Sequence, residues 1–181
     1  MTGTALPISL AGSQLGAVRH VCAFFSNDDE EYRVLLPFIK EGLEHGDKAI
    51  HVVNPQQREE HLRRLASAGI DSAAAEQAGQ LEIKINTEAY FRDGEFDQDR
   101  MLETFEKLAS GNAPGGFPLS RIVCRMDWVV GDALIDILRT HPLVIIGGIL
   151  QQNPFFTPPK EFLEEYRTRR SGASSLPIQG S

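Results

Sequence analysis

Leu143-Val-Ile-Ile146 is an unbroken apolar run, with no polar residue at alternate positions. A strand with one face in water alternates apolar and polar side chains, whereas a strand covered on both faces has no reason to. The run therefore reads as a strand inside a sheet packed on both sides, closed by Gly147-Gly148. Four more segments read as strands: His20-Val-Cys-Ala-Phe-Phe25, Lys48-Ala-Ile-His-Val-Val53, Leu81 to Ile85, and Arg121 to Met126. Between them the apolar period changes to that of a helix. Asp28 to His45 places Leu35, Phe38, Ile39, Gly42 and Leu43 on one stripe.

Local signals mark the ends of these helices. Asn27 and Glu30 have capping-box spacing, and Gly46 supplies a left-handed stop. Pro37 conflicts with the first helix, because an interior proline costs about 3 kcal/mol; a kink or a late helix start is expected. Asn54 reads as the cap of the next helix, with Pro55 at its tolerated first position. That helix runs through Leu62 and Leu65 to Gly69, and a short Ala-rich helix ends at Gly79. Further helices are expected over Phe96 to Leu108 (Met101, Leu102, Phe105 and Leu108 inward), Ala133 to Leu138, and Pro158 to Arg170.

Strands alternating with helices imply βαβ units with right-handed crossovers. The expected fold class is α/β: a three-layer, mostly parallel sheet of about five strands with helices on both faces. Residues 1–17 read as a flexible lead-in with at most one short strand, 18–170 as the domain, and 171–181 as a flexible tail.

Composition narrows the function. The 181 residues suffice for one domain. Net charge is −7, from 18 basic and 25 acidic residues, which argues against nucleic acid as a partner. Cys22 and Cys124 fall in apolar strand-like runs and read as buried free thiols. No leader pattern and no apolar run of about 18 residues is visible, so a cytoplasmic protein away from membranes is expected.

Ligands of open parallel sheets gather beyond the carboxyl ends of the strands. Those ends carry Phe25-Ser26-Asn27-Asp28, Asn54, Asn86-Thr87 and Asp127-Trp128. A phosphate-binding loop needs glycines and a lysine, but the first of these ends continues Phe25-Ser-Asn-Asp-Asp-Glu-Glu-Tyr32. Its four consecutive carboxylates suit a helix N-terminus and repel a triphosphate. The expectation is a binding module, not an enzyme, with no catalytic residue and no cofactor. Phe25, Ser26, Asn27, Asp127 and Trp128 are its candidate ligand-binding residues. His20 and Cys22, two apart on a strand, share a face and form a weaker candidate for a haem or metal site. His51 and His141 read as core histidines, and His45 and His61 show no zinc spacing.

These residues also carry a resemblance. His20-Val-Cys-Ala-Phe-Phe25 and Leu36-Pro-Phe-Ile-Lys-Glu-Gly-Leu-Glu-His-Gly-Asp-Lys-Ala-Ile-His-Val-Val53 resemble the methanogen/methylotroph sensory (MEDS) domain family. So do Ala68-Gly-Ile-Asp71, Gly79-Gln-Leu81, Ala89-Tyr90 with Gly94-Glu-Phe-Asp97, Leu138-Arg-Thr-His-Pro-Leu-Val-Ile-Ile-Gly-Gly148, and Asn153-Pro-Phe-Phe-Thr-Pro-Pro159. The resemblance implies a RecA/KaiC-like layout without a phosphate loop. It implies small-molecule sensing, with a histidine kinase, an anti-sigma-type kinase or a transcription regulator as partner. One departure stands out: members place a further helix and strand between the segments matching Met126-Asp-Trp128 and Gly131-Asp-Ala-Leu134, which here nearly abut. A sheet edge exposed by that loss needs covering, and a homodimer is one route.

Three functions follow as expectations. The first is a sensory module for a small, largely apolar organic ligand at the strand carboxyl ends. The second is a ligand-free interaction module in stress or sigma-factor regulation. The third is a haem or metal sensor built on His20 and Cys22.

Overall fold

A computed structural model describes residues 7–16, 19–93, 95–110, 116–127 and 141–152. Trp128, the expected helices over Ala133 to Leu138 and Pro158 to Arg170, the Asn153–Pro159 connection and the 171–181 tail lie outside the described residues. The strands are β1 (Ile8–Leu10), β2 (Ser13–Leu15), β3 (Val21–Phe24), β4 (Lys48–Val53), β5 (Leu81–Ile85), β6 (Phe91–Arg92), β7 (Glu95–Phe96), β8 (Ser120–Cys124), β9 (Leu143–Ile146) and β10 (Ile149–Gln152). The helices are α1 (Asp28–Glu44), α2 (Arg58–Ser67), α3 (Ser72–Gln77), α4 (Asn86–Tyr90) and α5 (Gln98–Ser110), with a 3-10 turn over Pro55–Gln57. The chain divides into two compact units, residues 1–35 with 128–181, and residues 36–127.

In the first unit β3 pairs in parallel with β9, Val21 opposite Leu143 and Phe24 opposite Ile146. Val144 and Ile145 are both fully buried, so both faces of β9 are covered as its apolar run required. The glycines after β9 do more than end the strand. Gly147 and Gly148 have φ of 56° and 74°, and they turn the chain into β10, which pairs antiparallel with β9. A two-residue turn of this hand needs positive φ at both central positions, where glycine is unstrained. Residues 8–15 form a second hairpin, β1 with β2, rather than at most one strand.

The expected α1 starts where the sequence placed it. Glu30 N–H donates to Asn27 Oδ1 at 2.9 Å, and Ser26 N–H donates to the Glu30 carboxylate at 2.7 Å. The late start expected from Pro37 is not seen, since the helix runs from Asp28 through Pro37 to Glu44. Pro37 is exposed, so water can reach the carbonyl it leaves unbonded.

In the second unit β4 lies between β5 and β8, all three parallel. From Ala49 to Val53 every residue of β4 is buried, as a central strand covered on both faces demands. Gly46, Gly69 and Gly79, all at positive φ, end α1, α2 and α3. At each end the next amide bonds back five residues: Asp47 to Gly42, Ile70 to Leu65, and Gln80 to Ala75. This satisfies carbonyls that the helix leaves orphaned. The helix expected from Phe96 begins later than predicted, at Gln98. Asp97 caps α5 by accepting from Arg100 N–H at 2.8 Å, while Phe96 sits in the small β6–β7 hairpin. Leu102 is 48% exposed and not inward. Met101, Thr104, Phe105 and Leu108 make the covered stripe instead.

The amino-terminal end of this sheet is pinned by Arg121, which is 3% exposed. Its Nε donates to Asp47 Oδ2 at 2.9 Å, and its Nη1 donates to Phe38 O and Glu41 Oε2, both at 2.8 Å. The guanidinium also lies 4.8 Å from the Phe38 ring centroid. Gly42 makes room for it, because a Cβ there would stand 2.5 Å from Arg121 Cδ and Nε. Buried charge is tolerated here through pairing and hydrogen bonds.

The five strands expected from the sequence are all strands, and the fold is α/β with parallel pairing. Among the described residues they are distributed between two three-stranded sheets, β10-β9-β3 and β5-β4-β8, one in each unit.

Candidate functional site

The opposite, carboxyl-terminal end of β5-β4-β8 carries polar side chains rather than apolar ones. Asn54 follows β4, Asn86 follows β5, and Arg125 and Asp127 follow β8. Asn54 occupies the position of a helix cap but makes no capping hydrogen bond, and Pro55 after it opens a 3-10 turn. Its side chain is thereby released to its neighbours. Asn54 Nδ2 donates to Gln57 Oε1 at 3.0 Å and to Asp127 Oδ2 at 3.2 Å. Gln57 Nε2 donates to the same carboxylate oxygen at 3.2 Å. Asn86 Nδ2 donates to Asn54 Oδ1. Arg125, buried, brings Nε to 3.7 Å from Asp127 Oδ2.

Beneath this edge lies a pair of buried histidines. His51, on β4, and His61, on α2, are joined by a 2.8 Å contact between Nδ1 and Nε2, with the rings edge to face. Burial, and then the neighbouring His61, pushes His51 down to about 3. Burial, and then the positive charge of Arg125, pushes His61 down to about 4. Both rings are neutral near pH 7, so one nitrogen of the contact donates and the other accepts. Tyr90 and Cys124 are neighbours as well; burial raises the Tyr90 hydroxyl, and it pushes the Cys124 thiol up to about 11.

The sequence candidates belong to both units. Asp127 is part of the polar edge in the second unit. Phe25, half-buried, and Ser26 and Asn27, both exposed, follow β3 in the first unit, where Ser26 and Asn27 are engaged in capping α1. Trp128 lies outside the described residues. The His20 ring packs against the His141 ring, with centroids 4.0 Å apart, and burial pushes the Cys22 thiol up to about 12. Among the described residues no group of three or more His, Cys, Asp or Glu side chains is arranged to hold a metal ion. No described helix is long and apolar enough to cross a membrane.

Sequence reasoning missed the His51–His61 pair, Gln57, and the joint use of Asn54 and Asn86. One signal was legible: His51 interrupts an otherwise apolar central strand, and His61 stands four residues before the buried Leu65 on α2. A histidine on each of two facing apolar surfaces needs a polar partner, and the other histidine is the nearest kind available.

The methanogen/methylotroph, DcmR sensory domain family model matches residues 19–141, over half of the chain. Neither a curated protein nor a solved structure matches it. The matched span contains β3, the whole of the second unit and the polar edge just described. The chain belongs to the methanogen/methylotroph, DcmR sensory (MEDS) domain family.

Proposed function

We propose that this sensory domain is non-enzymatic, binds a small organic molecule, and relays its occupancy to a partner: a histidine kinase, an anti-sigma-type kinase or a transcription regulator. In this reading its scaffold is RecA/KaiC-like, with the phosphate loop lost. The observation that carries the reading is the network of Asn54, Gln57, Asn86, Arg125 and Asp127 at the carboxyl end of a parallel sheet. Strand carboxyl ends are where such folds take ligands, and polar groups gathered at one cost stability unless all are satisfied. The loop after β3 supports the second half of the reading. There the Ser26 and Glu30 amides are occupied by the Glu30 and Asn27 side chains, beside the acidic first turn Asp28 to Glu31.

Thermal denaturation of the full chain against a panel of small organic compounds, and separately against ATP with magnesium, tests this. A compound at a hundred times its Kd should stabilise the fold by about 2.7 kcal/mol, a rise of roughly 5–10 °C for a chain of this size. Stabilisation by ATP–magnesium with none by any organic compound refutes the proposal.

A further inference from the structure

The hydrogen-bond directions around Asp127 are fixed by chemistry, and they leave one lone pair pointing at nothing. An ionised carboxylate only accepts. Asp127 Oδ2 therefore requires the NH2 groups of both Asn54 and Gln57 to face it. With its NH2 so placed, Asn54 also donates to Gln57 Oε1, and its own oxygen turns toward Asn86. That oxygen can only accept, so Asn86 must present its NH2, which sends Asn86 Oδ1 away from the network. Asn86 is 5% exposed, and its Oδ1 is a buried acceptor with no hydrogen-bond partner among the described residues. Flipping the Asn86 amide would face oxygen with oxygen and remove the bond to Asn54. Leaving a buried polar atom unpaired costs about 1–3 kcal/mol.

Resting on the ligand-binding reading above, we propose that Asn86 Oδ1 is the specificity contact of the site, and that the ligand is a small uncharged molecule presenting an N–H or O–H donor. Burial selects for an uncharged molecule: a charged one would shed its hydration to reach a neutral acceptor on a residue only 5% exposed. A donor is selected because the buried acceptor gains a partner from it and remains unpaired against an analogue without one. That asymmetry gives the strongest discrimination a polar site achieves. Primary amides, ureas and small alcohols share this chemistry.

Acetamide and N,N-dimethylacetamide offer the same carbonyl with and without the donor. In side-chain amide NMR spectra of the 15N-labelled full chain, acetamide should shift the Asn54 and Asn86 NH2 resonances saturably. Dimethylacetamide at equal concentration should shift them less than one-fifth as far, on the order of the tenfold discrimination that 1.4 kcal/mol confers. Asn86→Leu, similar in size and without the acceptor, should abolish the difference at the Asn54 resonance; if that variant does not fold, the two probes on the wild-type chain decide alone. Equal responses to the probes, no response to either, or a response confined to other residues overturns the proposal. If a panel compound lacking any donor shifts these same resonances, the donor rule falls and the sensory reading stands. If the panel finds no binder at all, both fall.

Discussion

Lowering the pH from 7 to 5 should destabilise the folded chain by about 4 kcal/mol, chiefly through His51 and His61. Both rings are held well below the ordinary value of 6.5, His51 at about 3 and His61 at about 4, with burial the main cause for each. The unfolded chain takes up these two protons as the pH falls through about 6.5, while the native chain refuses them until near pH 4. Stability tied to the neutral pair is therefore complete above pH 7 and is lost progressively below 6.5. Integrating over the two pH units gives about 2 kcal/mol per ring. Carboxylates add little in this window, since their unfolded values lie near 4. His20, also lowered by burial, acts in the same direction, discounted for its exposure. Against a typical stability of about 5–15 kcal/mol this is a large fraction. Urea unfolding followed by circular dichroism at pH 7, 6 and 5 measures it. The double replacement His51→Leu with His61→Met should flatten the pH dependence, since apolar substitution of both partners leaves no buried polar atom behind. A wild-type loss below about 1 kcal/mol over the same range, or an NMR titration placing either ring near 6.5, refutes the argument.

Three other outcomes follow from the packing. Gly42→Ala should destabilise by about 1–2 kcal/mol net, because the clash with the pinned Arg121 side chain outweighs the helix propensity gained. In an Arg121→Ala background the same change should stabilise by about 1 kcal/mol, a reversal of sign that urea titration of the four proteins reads directly. Asn27→Ala should cost about 1 kcal/mol by uncapping α1, and Asn27→Ser should restore most of it. Cys22 and Cys124, held near 12 and near 11, should react with a thiol reagent at pH 8 at least about a hundredfold more slowly in the folded chain than in urea; equal rates would show that neither thiol is shielded.

The elements were legible wherever a local rule acts alone. Lys48 to Val53, Leu81 to Ile85 and Leu143 to Ile146 are strands with the ends read from their apolar runs. Asn27 and Gly46 frame α1 because capping needs only neighbouring residues. Of the three hairpins that escaped, two did so for the opposite reason. Gly147-Gly148 reads equally well as a stop or as a turn, and what distinguishes them is β10 pairing with β9, a contact the local pattern does not contain. Asp93-Gly94 is a stronger hairpin signal, with Asp93 at a φ of 53°, yet the two-residue strands it joins are too short to show a period. At the polar edge, Asp127 was named from its place after a strand. Gln57 and His61 were not, because each acquires its role from a residue tens of positions away or on another element.

The two strand-end segments use the same residue chemistry to opposite effect. After β3, Asn27 accepts from the Glu30 amide and Glu30 from the Ser26 amide, so the loop closes on itself. After β4, an asparagine in the equivalent cap position is followed by Pro55, which removes an amide hydrogen and starts a 3-10 turn. The Asn54 side chain makes no capping bond and bonds to Gln57, Asn86 and Asp127 instead. A chain of oriented amides must end somewhere, and this one ends at a buried carbonyl oxygen. Asn54→Ala should therefore cost no helix cap but leave Asn86 Nδ2 without its partner, so the fold loses about 1–3 kcal/mol and any ligand that depends on Asn86 binds more weakly. An Asn54→Ala protein that binds such a ligand unchanged would sever the link drawn between Asn54 and the site.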